Sequence, residues 1–226
     1  LAESEKSIPK EIKNLNNDSY HSANSCLSPD GKRLYFTICS GNNSDGMECI
    51  IDPTNDNFMY GSLYYGDIRR STNRGISFST IAENGTNGIN ESGAWVTPYK
   101  LDPNTAARMF IGYKNIWRSD DVKTPAANAV VWTKISSFAG ANNITDIAVA
   151  PSNSNVMYVS RTGTDKFYKS VNVLAGAPVW TNLTASLPVA TTPKDIEIDP
   201  TDPNHLFITI TNDIYESTEG GLCCAN

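Results

Sequence analysis

The chain has 226 residues, of which 39% are hydrophobic and 19% charged, and it carries a formal charge of −6. That length suits one domain, or at most two small ones, with enough buried surface to fold without staples. The acidic balance, with no basic cluster, argues against a nucleic-acid face; no apolar run reaches the roughly 20 residues of a membrane helix; and the surplus of Asn, Ser, Thr, Gly and Pro points to a turn-rich, mainly β protein rather than a helical bundle.

The chain starts Leu1-Ala2-Glu3-Ser4-Glu5-Lys6, which lacks the basic and apolar regions of a signal peptide, so the expectation is a leader that is absent or already removed. Further on, Ser28-Pro29-Asp30-Gly31 reads as a turn between two strands, one ending near Cys26-Leu27 and the other starting at Leu34-Tyr35-Phe36. The five cysteines are Cys26, Cys39, Cys49, Cys223 and Cys224, without the paired spacing of a zinc site. A Cys39–Cys49 bridge in an oxidising compartment and unbridged thiols both stay open. Adjacent Cys223 and Cys224 are poorly placed to bond each other.

From residue 49 onward the chain repeats itself. Four segments share one plan, with prolines at Pro53, Pro103, Pro151 and Pro200, spaced by 50, 48 and 49 residues. Each begins with a mostly apolar run, as in Ile147-Ala148-Val149-Ala150, followed by a Pro/Asn turn and a second run such as Val156-Met157-Tyr158. In the third unit the pattern predicts strands over 145–150, 156–160, 166–170 and 180–183. Four strands in some 40–50 residues is the unit of a propeller blade. The fold class is therefore all-β, a β-propeller of four-stranded antiparallel blades with about four to five blades present. Residues 1–48 form a partial blade and 49–226 the 49-residue repeats of the same propeller. The count runs two, four, four, four and three strands, and either the two ends close a small ring or the chain is part of a larger one.

A second motif falls between the third and fourth strands. It reads Ser71-Thr72-Asn73-Arg74-Gly75-Ile76-Ser77-Phe78 in the first unit and Ser217-Thr218-Glu219-Gly220-Gly221 in the fourth. These resemble the Asp-box, S-x-D-x-G-x-T-W, with Asn73 and Glu219 where the family has aspartate. Ser71, Asn73, Gly75, Phe78, Ser217, Glu219 and Gly221 are expected to shape turns on the rim, not to bind ligand: a short polar side chain holds turn amides, glycine takes φ > 0, and the aromatic packs between blades. The second and third units keep Trp132-Thr133 and Trp180-Thr181 after insertions.

Together these segments resemble the BNR/Asp-box propeller superfamily, which includes sialidases, xyloglucanase-type glycoside hydrolases and sortilin-like (Vps10) receptors. Gly93-Ala94-Trp95-Val96-Thr97-Pro98-Tyr99 and Asn115-Ile116-Trp117-Arg118-Ser119 are similar to its secreted repeat proteins, and the Ser-Pro-Asp-Gly segment is similar to TolB-like propellers. The resemblance covers about residues 48–222 and implies a secreted or cell-surface setting. It is specific for fold and weak for activity. The sialidase arginine triad and F/Y-R-I-P motif are not found. A xyloglucanase-type hydrolase needs two facing carboxylates, about 6.5–9.5 Å apart for inversion; Asp67, Asp146, Asp165, Asp195 and Asp213 are the aspartates left over from the repeated turns. His205 belongs to a repeated turn and is expected at the surface.

Aromatic residues gather in the first two units. Tyr64, Trp95, Tyr99 and Trp117 are the candidate ligand-binding residues, against the alternative that they pack between blades. Tyr64 and Tyr65, read as neighbours in a strand, should face opposite sides. The leading expectation is a non-catalytic binding or scaffold module for a glycan or an extracellular protein, with no metal, cofactor, nucleic acid or membrane span. The alternatives are a xyloglucanase-type glycoside hydrolase or a fragment of one, and a structural subunit that self-associates through open strand edges.

Overall fold

The computed structural model describes the backbone of residues 20–27, 34–40 and 47–221, and the side chains of 47–221. The described residues are all-β, with seventeen strands in five antiparallel sheets. β1 (Tyr20–Leu27) and β2 (Leu34–Ser40) form a two-stranded sheet. The Ser28-Pro29-Asp30-Gly31 turn between them lies outside the described residues, as do the side chains of every cysteine but Cys49.

Three four-stranded blades follow. The first is β3 (Cys49–Ile51), β4 (Met59–Ser62), β5 (Ile68–Ser71) and β6 (Ser79–Ala82). The second is β7 (Tyr99–Asp102), β8 (Thr105–Gly112), β9 (Ile116–Ser119) and β10 (Thr133–Lys134). The third is β11 (Ile144–Val149), β12 (Met157–Arg161), β13 (Phe167–Ser170) and β14 (Thr181–Asn182). The fourth sheet has three strands, β15 (Asp195–Ile198), β16 (Leu206–Ile210) and β17 (Asp213–Ser217). Within each blade every strand pairs with its sequence neighbour. The strands predicted for the third unit agree with the observed ones to within one or two residues.

The first strands of successive blades lie side by side: β1 beside β3, β7 beside β11, and β11 beside β15. Between blades sit three apolar clusters. The first joins Tyr60, Ile68 and Ile81 to Tyr99, Ile111 and Trp117. The next joins Phe110 and Ile116 to Ile147, Met157 and Val159. The last joins Tyr158 and Phe167 to Ile196, Leu206 and Ile208. A blade is only one sheet thick, so each face must be covered by a neighbour, and burying each such side chain contributes about 1.5–3 kcal/mol.

Polar ties cross the same seams. Trp132 Nε1 donates to the Ile81 carbonyl at 2.7 Å, and Trp180 Nε1 to the Ile135 carbonyl at 2.9 Å. Arg70 donates to the Val122 and Pro125 carbonyls at 2.6 and 2.9 Å. Asp102 folds its own turn by accepting from the Asn104 amide at 2.8 Å, and it also accepts from Ser154 Oγ of the next blade at 2.6 Å. In the first blade Asp52 takes the Thr54 and Asn55 amides and pairs with Lys123 of the second. Burial pushes the Asp52 carboxyl up, but Lys123 and Thr54 outweigh it and hold it below the usual range.

The serine turns are closed by their own side chains. Ser71 Oγ accepts from the amides of Asn73 and Gly75 at 3.2 and 2.9 Å, while Asn73 Oδ1 takes the Ser77 amide at 2.9 Å. Gly75 has φ 81° and Gly221 φ 84°, the left-handed backbone that glycine adopts without penalty. Ser217 Oγ accepts from the amides of Glu219 and Gly221 at 3.4 and 3.0 Å. Asn172 does in the third blade what Asn73 does in the first, taking the Val179 amide at 2.8 Å across the insertion. Phe78 differs from the packing expected of it: the ring is half exposed, whereas Trp132 in the corresponding place is buried.

Candidate functional site

In an antiparallel blade the β3–β4 and β5–β6 connections leave from one end, and β4–β5 and the link to the next blade leave from the other. The Asp-Pro and serine turns thus share one end of the molecule. The opposite end carries residues 63–67, 83–98 and 113–115. These three segments are fastened together. Tyr65 N donates to the Trp95 carbonyl at 3.3 Å, Gly93 N to the Tyr65 carbonyl at 3.1 Å, and Tyr113 Oη to the Gly66 carbonyl at 2.7 Å.

On this support stands a cluster of three exposed rings. Tyr64 and Trp95 stack with centroids 5.3 Å apart and planes 15° apart. Tyr65 sets its edge against both, with centroids 5.6 Å from Tyr64 and 5.3 Å from Trp95. The exposures are 36% for Tyr64, 51% for Tyr65 and 50% for Trp95. Tyr64 and Tyr65 do not lie in a strand with opposed side chains, as the sequence reading had them. They form a single helical turn, Tyr64–Gly66, in which Tyr65 has φ 61°. The left-handed residue reverses the chain, and both rings land on one side. A non-glycine residue in this region costs of order 1 kcal/mol or more and persists because its surroundings hold it.

The structure separates the four expected ligand-binding residues. Tyr64 and Trp95 come together on the surface. Tyr99 and Trp117 do not join them: both are buried between the first two blades. Tyr99 Oη donates to the Glu48 carbonyl at 2.8 Å, and Trp117 Nε1 to Glu91 Oε2 at 3.2 Å. Rings enclosed in this way offer no face to a ligand. Strand alternation explains it, since Tyr99 on β7 and Trp117 on β9 point toward the preceding blade. Tyr65 takes their place in the cluster.

Two carboxylates belong to the same segments, Asp67 after the tyrosine turn and Glu91 before Trp95. Asp67 takes Arg69 Nε and Nη2 at 2.9 and 2.7 Å and Thr80 Oγ1 at 3.1 Å. Glu91 accepts from the amide and side chain of Asn115 at 3.0 and 2.8 Å as well as from Trp117. Burial pushes the Glu91 carboxyl up, but the Asn115 and Trp117 donors and Lys134 hold it low. Between the two lies Tyr113, whose phenol is pushed up first by burial and then by the charges of Asp67, Glu83 and Glu91. Glu91 escaped the sequence reading, because no repeat or motif marks it. Its one signal is its place just before Gly93-Ala94-Trp95.

The remaining expected carboxylates are dispersed. Asp146, on the central strand β11, accepts from the Ile196 amide at 2.8 Å, and its pKa is pushed up to about 6, chiefly by burial. It lies near a cavity of about 160 Å³ between β7, β11 and β15, lined by Lys100, Ala148 and Glu197 among others. Asp195 and Asp213 are exposed strand residues. His205 is half-buried, with Nε2 at 2.7 Å from Glu216 Oε1 and Nδ1 at 3.4 Å from Asp199. Among the described residues no group of three or more His, Cys, Asp or Glu is arranged to hold a metal ion, and no helix is long and apolar enough to cross a membrane.

No protein family and no curated protein sequence matches the chain. Solved structures do. The chain is similar to a GH74 enzyme from Niastella koreensis, with a TM-score of 0.60 and 17% identity over 86% of this chain and 32% of that one. It is similar to a GH74 xyloglucanase from Xanthomonas campestris, with a TM-score of 0.58 and 15% identity over 88% of this chain and 30% of that one. An ancestral GH74 enzyme aligns with a TM-score of 0.51 and 18% identity over 75% and 22% of the two chains. The chain thus spans about a third of the length of the first two. At such identities the likeness is one of fold, and the fold is the β-propeller.

Proposed function

We propose that this chain is a non-catalytic β-propeller binding module that takes a glycan on the end of the propeller carrying Tyr64, Tyr65 and Trp95, in a secreted or cell-surface setting. The observation behind this reading is the exposed ring cluster. A single exposed ring needs no explanation, but contiguous exposed rings mark a surface that a partner covers. The C–H face of a pyranose packs on such rings as apolar surface, while its hydroxyls remain free for water and nearby polar groups. The cluster is also preorganised, because backbone hydrogen bonds and the left-handed Tyr65 hold the rings before any ligand arrives, which lowers the ordering cost of binding.

The test is affinity electrophoresis through gels containing soluble neutral polysaccharides, xyloglucan and mixed-linkage glucan among them. The wild-type chain is expected to be retarded by at least one. Trp95→Ala should lose the retardation while keeping its melting temperature, since the ring it removes is half exposed. A wild-type chain that runs unretarded in every gel contradicts the reading.

The GH74 likeness supports a second reading, a glycoside hydrolase or part of one. Asp67 and Glu91 are then the carboxylates to test, as the charges of both act on the Tyr113 phenol. Their oxygens are occupied by Arg69, Thr80, Asn115 and Trp117, which suits a structural role better than proton transfer to a substrate. Release of reducing sugar that disappears in Asp67→Asn and Glu91→Gln would favour the hydrolase.

A further inference from the structure

The third blade departs from the repeat at one buried position. Strand register aligns the blades on the pairs Met59/Ser71, Met109/Ser119, Met157/Ser170 and Leu206/Ser217. Four residues past the first member of each pair stand Leu63, Tyr113, Arg161 and Ile210. Uncharged side chains fill this place in three blades, and Tyr113 and Ile210 are fully buried. Arg161, at the end of β12, is just as enclosed. A guanidinium is not deprotonated inside proteins, and taking it out of water is costly unless hydrogen bonds and an opposite charge compensate. A residue that breaks the local pattern at such a cost marks a place where function outweighs stability.

The compensation is incomplete. Nη2 donates to the Ala139 carbonyl at 2.9 Å and to the Asn142 carbonyl at 3.4 Å. The ring centroids of Phe138 and Tyr168 lie 5.3 and 6.0 Å from Cζ, which adds a cation–π attraction. Nε and Nη1 have no acceptor among the described residues, and no carboxylate there forms an ion pair with Arg161. Asp165, on the β12–β13 connection, accepts from Asn182 Nδ2 at 2.9 Å instead. The two carbonyls that Nη2 holds belong to a strap, Ala139–Asn142, whose first three residues are small and exposed. Phe138 N is anchored on Asn115 Oδ1 at 2.7 Å and Ile144 N on the Tyr113 carbonyl at 2.8 Å. Between these anchors the strap and Asn143 are tied by Arg161 and by Thr162, whose amide donates to the Asn143 carbonyl at 2.9 Å. A segment with so few ties opens at low cost.

We propose that Arg161 anchors an anion site beneath this strap, which takes a carboxylate, free or carried by a sugar acid. A planar carboxylate accepts two guanidinium N–H bonds side by side, and its single charge balances the single charge of Arg161. The strap gives up its hold on Nη2 as the carboxylate arrives, and the rings of Phe138 and Tyr168 keep the pair in an apolar setting, where the attraction is strong. The β12–β13 connection leaves from the same end of the molecule as the exposed rings. The site belongs to the third blade, however, and stands whether or not those rings bind a glycan.

Thermal unfolding of the full chain in sodium acetate, sodium glucuronate or glucose, with sodium chloride holding the ionic strength equal, tests it. A carboxylate salt is expected to raise the wild-type melting temperature saturably, by about 5 °C near full occupancy, while glucose leaves it unchanged. A rise with acetate identifies a free carboxylate as sufficient, and a rise with glucuronate alone identifies a sugar acid. Arg161→Leu installs the residue type of the first blade, so it should fold and lose the rise. Where that variant does not fold, hydrogen exchange of the wild-type chain decides, because the effective salt should alter exchange at residues 139–143. The proposal is overturned if neither salt raises the wild-type melting temperature above that in chloride, if glucose acts as the salts do, if Arg161→Leu keeps the full rise, or if exchange in the strap is unaltered.

Discussion

Tyr65 decides where the exposed rings stand. With extended backbone there, Tyr64 and Tyr65 would point apart, and Trp95 would keep at most one of them as a neighbour. The left-handed turn depends on Gly66, whose φ is 89° and whose hydrogen faces the Tyr113 ring so closely that a Cβ would overlap it. Gly66→Ala should therefore lower stability by about 2–3 kcal/mol, read as a shift in the denaturant midpoint, and disperse the ring cluster. Asp146 gives a second residue-scale prediction. Its folded pKa of about 6 lies above the usual carboxylate range, so the native state binds the proton more tightly than the unfolded chain does. The stability it contributes is present below about pH 4 and is lost as pH rises to about 6. Asp146→Asn should flatten that step and raise stability at neutral pH by about 2 kcal/mol, measured by urea unfolding at several pH values. Neither feature was legible in the sequence. A left-handed tyrosine has no signature of its own, and the burial of Asp146 on β11 depends on the neighbouring blade, whose Ile196 amide it meets.

At the scale of the element, the blade is the unit of both sequence and structure. The Asp-Pro turns at Asp52, Asp102 and Asp199 and the serine turns at Ser71 and Ser217 were legible because each is closed by its own side chains, within a few residues. The seams between blades were legible only as alternation. Tyr99 and Trp117 look like surface aromatics in a polar sequence, and only the neighbouring blade shows them to be enclosed. The seams should respond to single changes. Arg70 donates to three carbonyls of the second blade from a buried position, so Arg70→Ala leaves those acceptors unpaired and should cost about 3 kcal/mol in thermal or urea unfolding. Arg69→Ala, one residue away on the half-exposed side, should cost well under half as much.

At the scale of the whole molecule, the described residues form a row of propeller blades with two unlike sides. One side is closed by short, self-satisfied turns. The other carries the longer connections and the ring cluster. That division is the reason to look for the ligand beside Trp95. The measurement that tests the central claim most directly is acrylamide quenching of tryptophan fluorescence during titration with a soluble polysaccharide that retards the chain. Of the four tryptophans, Trp95 is half exposed, Trp117 and Trp132 are buried, and Trp180 is intermediate. The account predicts saturable protection of one accessible tryptophan, absent in Trp95→Phe. Binding of the polysaccharide with Trp95 still fully quenched would contradict it.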